Sequence, residues 1–530
     1  MSIPKGAYQA LAAIVGDEYI SNDPVTLRAY NTKSYRAETA YKLICTLPDC
    51  VVLPKTTDEV QRIVKVCNRY QIAYTPCSTF WYATSAAKRP NELLIDLKRM
   101  NKLEIDDKHM YAIVEPGVIY GQLQQEAMDH GLYTMVSGGG SQVSVICNHI
   151  NQGWSPLNYR TGLIGRRPLG IEWVLPDGEM LRLGSLAMND NDYFWGEGIG
   201  PDLRGLLRGA SGWMGAMGIV TRLATKLIPF QPEKLQPTGI SPDTALAFPE
   251  GRIKWYNYSM PTREALERAM YELGWHEIAA AATKVPVMWR YIARAKSKED
   301  FWVQWGKMTA EEIATTHILR ILIVGYTSPK QLEYEERVLM DIMKRLGGEL
   351  RRTKQSDESW IKNADSAGMW WMSGAYVSIE YVVETIQHGV KQGVAIANMK
   401  EKNYVPPLLG DYGDPGWFQT MELGHCDYSE YLTYWDVNDP ERYKADQMYL
   451  DTMRLNIKEG FYSSFLNAQP LWLTGPAYGP NYHLWQIRVK KAFDPDNLSN
   501  PPGIESYEEI VDKAPWLKRD WKKGDIDKVK

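Results

Sequence analysis

Between Asp49 and Gly131 short apolar runs alternate with amphipathic stretches, and this alternation limits the fold more than any other feature of the chain. Cys50–Pro54 (CVVLP) reads as a short buried strand. Thr57-Asp58-Glu59 then opens a helix, with Val60, Ile63, Val64 and Cys67 following at helical spacing. Ala73–Pro76, Leu93–Leu97 and Ala112–Glu115 read as further strands, the last ended by Pro116-Gly117. Tyr120–His130 reads as a helix closed by Gly131. Strand–helix alternation of this kind belongs to layered folds that mix helices with a sheet.

The pattern continues downstream. Leu169–Leu175 and Glu179–Leu183 flank the turn Pro176-Asp177-Gly178 as a hairpin, and Gly218–Ile228 reads as a strand with alternating burial. The proline-rich stretch from Pro229 to Pro249 marks a boundary. Beyond it, helices such as Thr262–Gly274 and Ser328–Gly347 alternate with short strands such as Leu319–Gly325. Asn456–Ser464 starts a return segment, and Lys490–Asn500 reads as a helix end followed by the turn DPDN. The expected organisation is α+β, with domains over 1–230 and 231–457 and a segment 458–530 packing back on the first. A chain of 530 residues exceeds a single core.

Charge and hydropathy exclude several function classes. The formal net charge of −4 provides no basic field for nucleic acid or an anionic membrane. No apolar run approaches the ~18 residues of a membrane span, and the N-terminus does not read as a signal peptide. A cytoplasmic location is the expectation. The six cysteines form no CxxC pair and read as reduced thiols, with no metal site expected. There are 19 Trp, 32 Tyr and 21 Met against 9 Phe, which suits an aromatic pocket or a large interface, and a homodimer or larger oligomer is expected.

Ser137–Ser141 reads SGGGS. Three consecutive glycines are costly inside a helix or strand and serve where backbone approaches another group closely. Successive amides in such a loop can face an anion, though a flexible surface loop reads equally well from these residues alone. No GxGxxG follows a strand, so a nicotinamide site is not expected.

Several segments in order carry a resemblance. They are CVVLPKTTDEVQRIVKVCNRYQIAYTP, LIDLKRMNKLEID, IVEPGVIY, the SGGGS loop, WVLPDGEMLRLGS, GAMGIVTRL and the late KKAFDPDNLSNPPG. Together they resemble the vanillyl-alcohol oxidase / para-cresol methylhydroxylase family of FAD-linked oxidoreductases. The likeness covers about Asp49–Phe230 and Lys490–Gly503, and the middle of the chain only loosely. It implies a two-subdomain FAD-binding domain of the para-cresol methylhydroxylase (PCMH) type, an α+β cap that holds substrate, and FAD as cofactor. The implied cofactor residues are Pro76, Cys77, Ser78, Thr79, Phe80, Trp81, Tyr82 and Ala83 in the first loop, and Pro116 and Gly117 after the fourth strand. Ser137, Gly138, Gly139, Gly140, Ser141, Ser144, Asn148, His149 and Gly153 follow, then Gly218, Ile219 and Val220. The first loop departs from the family pattern, with Phe80, Trp81 and Tyr82 where glycines are usual. His149 is also open to the plainer reading of a satisfied structural histidine.

In the cap, Tyr376 falls where the family links a residue covalently to the flavin, so a tyrosyl bond or a noncovalent flavin beside an ordinary Tyr are both open. Tyr462 falls where the family hydrogen-bonds a phenolic oxygen, with Tyr82 as a second member of that cluster. The Arg that follows in phenol oxidases is Ser463 here, and the acid before their Gly triplet is replaced by Met135-Val136-Ser137. A strand over Leu423–Tyr434 places His425, Asp427 and Ser429 on one face, where a His–Asp pair could move a proton. The implied reaction is oxidation of an alcohol or benzylic carbon of a small aromatic substrate by hydride transfer to flavin N5. Oxygen, a cytochrome or another redox protein would reoxidise the flavin. A 2-hydroxy-acid or sugar/polyol dehydrogenase is the alternative, although the HxxDGNxH pattern of the former is absent. A flavin-free binding or scaffolding subunit is the reading from a different class, favoured only by the divergent CSTFWYAT loop.

Overall fold

The computed structural model describes residues 3–30, 46–80, 86–151, 153–184, 201–209, 213–238, 245–292, 294–353, 355–357, 360, 374–461 and 482–501. Helices and sheets mix throughout, as an α+β fold requires.

The first sheet has the order β1 (Ile20–Ser21), β2 (Cys50–Val52), β4 (Leu93–Asp96), β3 (Tyr74–Cys77). β2 and β3 run parallel to β4, while β1 is an antiparallel edge. The helix Thr57–Tyr70 joins β2 to β3. Thr56 Oγ1 accepts from Glu59 N at 3.2 Å and starts the helix. Its buried stripe of Val60, Ile63, Val64 and Cys67 faces the sheet, and Gln71 ends it in the left-handed region at φ 52°. The helix Lys5–Val15, which the sequence reading did not foresee, packs Leu11 and Val15 into the same core.

The second sheet runs β5 (Leu103–Asp106), β6 (Tyr111–Val114), β9 (Ile219–Lys226), β7 (Pro168–Val174), β8 (Met180–Leu183). The β7–β8 hairpin turns at Gly178, whose φ of 85° suits glycine, and Leu175 N donates to Glu179 O at 2.8 Å. β9 was expected to alternate in burial. It is instead buried almost throughout, because it lies between β6 and β7 with apolar groups on both faces. Helices Tyr120–Asp129 and Val145–Asn151 cover this sheet.

A seven-stranded antiparallel sheet dominates the second half of the chain. Its order is β13 (Glu349–Arg351), β10 (Ile253–Met260), β12 (His317–Val324), β11 (Ala281–Lys284), β15 (Trp417–Met421), β16 (Cys426–Asp436), β14 (Gly374–Val383). Helices Arg263–Trp275, Pro329–Arg345 and Ile386–Tyr404 lie on one face. The opposite face meets the first half of the chain. There Gln419 Nε2 donates to Ser155 O at 2.8 Å, and Tyr133 stacks on Tyr326 with centroids 5.6 Å apart.

The late segment closes the N-terminal half. The helix Tyr482–Phe493 ends at Asp494, whose carboxylate accepts from Leu498 N and Ser499 N at 3.0 and 2.8 Å, so DPDN forms the expected turn. Asn456, expected at the start of the return, lies inside the helix Lys444–Glu459.

Candidate active site

A cavity of about 930 Å³ opens between the first two sheets. Its walls are the loop after β3, the glycine loop, the helix Val145–Asn151 and the turn before β9. Pro76, Cys77, Ser78, Thr79, Phe80, Pro116, Ser137, Gly139, Asn148, Gly218, Ile219 and Val220 line it, so much of the expected cofactor set comes together in one place. Sequence reasoning missed Ile146, Cys147, Ile150 and Asn151 in the wall, which one face of the short helix presents. Their i, i+1, i+4, i+5 spacing was the available signal.

The cavity's far wall is held by residues from the other end of the chain. Asn500 N donates to Tyr74 O at 2.7 Å and Tyr74 N donates to Leu498 O at 2.8 Å, so the late segment adds itself beside β3. Ser499 Oγ donates to Gly215 O at 2.7 Å and accepts from Gly218 N at 3.1 Å. Thr75 Oγ1 donates to Asn500 Oδ1 at 2.9 Å, which also accepts from the buried Lys88 ammonium. Gly215 lies against the Pro76 ring at φ 85°, where a Cβ would come within 2.5 Å of Cγ. The glycine therefore lets the two walls approach.

The lining suits FAD. Cofactor pockets are largely apolar with a few placed polar groups, and this lining has that character. Among the described residues the lining carries neither acid nor base, so none of their carboxylates opposes a pyrophosphate. Backbone amides and the polar side chains of Ser78, Thr79, Ser137, Asn148 and Asn151 are the groups available to hold one.

The remaining expected cofactor residues lie outside the lining, for identifiable reasons. A Cβ on Gly138 would fall 1.1 Å from Trp154 Cζ3, so this glycine makes room for an indole. A Cβ on Gly117 would meet Met100 O at 2.7 Å, and one on Gly153 would meet Gly165 N at the same distance. Gly140 has a φ of 114°, and Ser141 O accepts from Gly121 N at 2.9 Å. Ser144 Oγ donates to Pro116 O at 2.8 Å and so ties the helix start to the wall. His149 is buried, with Nδ1 2.7 Å from Val145 O and Nε2 2.7 Å from Thr225 Oγ1. Burial pushes its pKa down to about 4, so the ring is a neutral structural group. Trp81, Tyr82, Ala83 and Tyr462 lie outside the described residues. Tyr376 sits in β14 as the register partner of Tyr434.

The expected His425–Asp427 pair does not form. The strand begins at Cys426, one residue after the turn Glu422–Gly424, and His425 is exposed. Asp427 does share a face with Ser429, which donates to it at 2.8 Å, but that face lies under the helices. Burial pushes the Asp427 carboxyl well above the usual carboxylate range. The residues of β15 and β16 that meet the N-terminal half are the intervening ones. Tyr428 stacks on Trp154 at 4.2 Å, and Trp154 meets Trp417 edge-on at 6.4 Å. Trp417 packs on Trp289 at 5.2 Å, and Trp289 Nε1 donates to Tyr434 Oη at 2.9 Å. An aromatic wall thus stands on the cap side of the glycine loop.

Residues 48–184 match the FAD binding domain family. The chain is 22% identical to the 4-cresol dehydrogenase [hydroxylating] flavoprotein subunit of Pseudomonas putida, over 94% of this chain and 96% of that protein. It is 29% identical to glycolate oxidase subunit GlcD of Bacillus subtilis, over 43% of this chain and 46% of that one. Among solved structures, p-cresol methylhydroxylase with substrate bound shares the fold with a TM-score of 0.73 at 18% identity, covering 94% of this chain and 97% of that one. The 4-ethylphenol oxidase of Gulosibacter chungangensis in its isoeugenol complex gives 0.70 at 20%, covering 94% and 98%. The FAD binding domain match and the likeness to these flavin-dependent dehydrogenases and oxidases mark the chain as an FAD-dependent oxidoreductase. Residues 48–184 carry an FAD binding domain, and the chain as a whole shares its fold with p-cresol methylhydroxylase.

Proposed function

We propose that the protein oxidises an alcohol or benzylic carbon of a small aromatic substrate such as a 4-alkylphenol or aryl alcohol. The observation that carries this reading is the aromatic wall, Trp154, Tyr428, Trp417 and Trp289, which the cap sets beside the glycine loop of the cofactor cavity. Flat apolar rings favour offset or edge contacts with another ring. Trp417 Nε1 is buried without an acceptor among the described residues, and a substrate oxygen would satisfy it. Bound FAD supplies the hydride acceptor at N5. The full-length likeness to the 4-cresol dehydrogenase flavoprotein subunit supports the same substrate class. The likeness to the glycolate oxidase subunit reaches only 43% of the chain and bears on the cofactor half.

Tyr462 and Tyr82 are the proposed partners of a phenolic oxygen, and Tyr376 the proposed site of a covalent flavin bond. The proposed domain limits are 1–230, 231–457 and 458–530. A separate redox protein is the proposed electron acceptor, in line with the "subunit" in the name of the relative. Anaerobic mixing of the holoprotein with a panel of 4-alkylphenols and aryl alcohols tests the reading. Flavin bleaching by these compounds supports it, and bleaching by 2-hydroxy acids or polyols alone would overturn it. Tyr462→Phe should slow bleaching at least tenfold. Yellow colour remaining in the supernatant after acid precipitation would refute the Tyr376 link.

A further inference from the structure

A second, smaller cavity lies on the helix-covered face of the seven-stranded sheet, away from the aromatic wall. It shares no lining residue with the cofactor cavity. Arg263, His317 and Lys284 converge on it, together with a single carboxylate, Asp414. Lys284 is buried and ion-paired with Asp414, and it also donates to Gly416 O at 2.7 Å. Asp414 also accepts from Val287 N at 2.6 Å and Gly416 N at 3.1 Å. Arg263 and the His317 ring make no hydrogen bond or ion pair among the described residues.

The local charge balance favours an anion. Lys284 cancels Asp414, which leaves the Arg263 guanidinium in excess. The nearby acids are Glu264 and Glu267, on the helix of Arg263 and within reach of its charge, and Asp411, which is ion-paired with Lys400. Glu264 is exposed and engaged by Thr262 and its own backbone, and Glu267 lies a turn further on and outside the lining. The first residues of two helices, Arg263 of Arg263–Trp275 and Ile386 of Ile386–Tyr404, both line the cavity. Each helix start adds about half a positive charge.

We propose that this cavity is a binding site for a small oxyanion, either phosphate or the carboxylate of a small acid, held by Arg263 and His317 above the Lys284–Asp414 pair. Arg263 is the group that forks to two oxygens, and His317 donates a second contact from the strand side. The site is independent of the flavin reaction. Its occupation stabilises the cap, because ligand that binds only the folded chain raises stability by mass action.

Isothermal titration of the FAD-loaded protein with sodium phosphate, and separately with sodium acetate, against sodium chloride of equal ionic strength tests this. FAD loading keeps phosphate out of the cofactor cavity. One saturable site per chain is expected, with its dissociation constant raised at least tenfold in both Arg263→Gln and His317→Gln. Lys307→Gln, an exposed lysine elsewhere, should leave it unchanged. Phosphate binding alone or acetate binding alone identifies which oxyanion the site takes. Absence of saturable binding by both anions, or equal affinity in the two cavity variants and wild type, would overturn the proposal. His317→Gln reads the same cavity from a strand should Arg263→Gln disturb its helix. Flavin absorbance, recorded in the same samples, separates failure here from failure of the cofactor assignment.

Discussion

The Trp154 indole lies face to face with the Tyr428 phenol ring, with centroids 4.2 Å apart and planes 14° from parallel. Trp154 follows the glycine loop, and Tyr428 lies near the start of β16, next to the edge strand β14 of the seven-stranded sheet. Behind the indole sits Gly138, with no space for a side chain. The glycine loop, the indole and the cap strand are therefore one packed stack, and a change at any level passes to the next.

Gly138→Ala should break this stack. The added methyl would overlap the Trp154 ring, and overpacking of this kind costs about 1–3 kcal/mol. The expected outcome is a lower unfolding temperature and weaker retention of FAD, read from the flavin-to-protein absorbance ratio after dialysis. Wild-type values of both would show that the loop shifts freely.

Ser499→Ala removes the hydroxyl that donates to Gly215 O and accepts from Gly218 N. Leaving a buried amide unpaired costs about 1–3 kcal/mol. The urea midpoint should fall, and FAD should dissociate faster because Gly215 and Gly218 line the candidate cofactor cavity. An unchanged dissociation rate would mean that the late segment does not hold that wall.

His149 makes stability depend on acid. Its pKa falls from 6.5 to about 4 on folding, so between those values the unfolded chain binds the extra proton. Its contribution is complete above pH 6.5 and is lost as pH falls towards 4. A shift of ~2.5 units corresponds to about 3 kcal/mol. Asp411 opposes this, since burial raises its pKa to about 7 and its protonation favours the folded state as pH falls. The difference between wild type and His149→Gln therefore isolates the histidine. Urea unfolding at pH 5 and pH 7.5 should give a smaller loss on acidification in the variant, and equal losses would count against a neutral buried ring.

Asp427→Asn tests the face assignment. The carboxyl lies beneath the helices and is bonded by Ser429, so the near-isosteric amide should leave substrate-driven flavin bleaching within about threefold of wild type. A loss of a hundredfold or more would return Asp427 to the catalytic machinery.

The choice between the two faces of β16 shows where reading from sequence stopped. LGHCDYSEYLTY offers polar groups at alternate positions whichever set is taken, and His425, Asp427 and Ser429 are the more reactive set. The strand is buried almost throughout, with helices on one side and the N-terminal half on the other. A strand covered on both faces carries no alternation in hydropathy, so nothing local marks which side meets the cofactor half. The glycine loop was legible as a close approach, yet only packing revealed that Gly138 approaches an indole while Gly139 faces the cavity.

Local signals determined much of the chain without help. The strands around the cofactor, the helix begun by Thr56, the Gly178 hairpin and the DPDN turn each follow from periodicity or from a side chain within a few residues. The ordered segments from Cys50 to Val220 were enough to imply an FAD-binding domain. Tertiary structure alone decided that Asn500 closes on Thr75, 425 positions away, and that Tyr428 rather than Asp427 meets Trp154. Both depend on contacts between distant parts of the chain, whose geometry no single window of sequence contains.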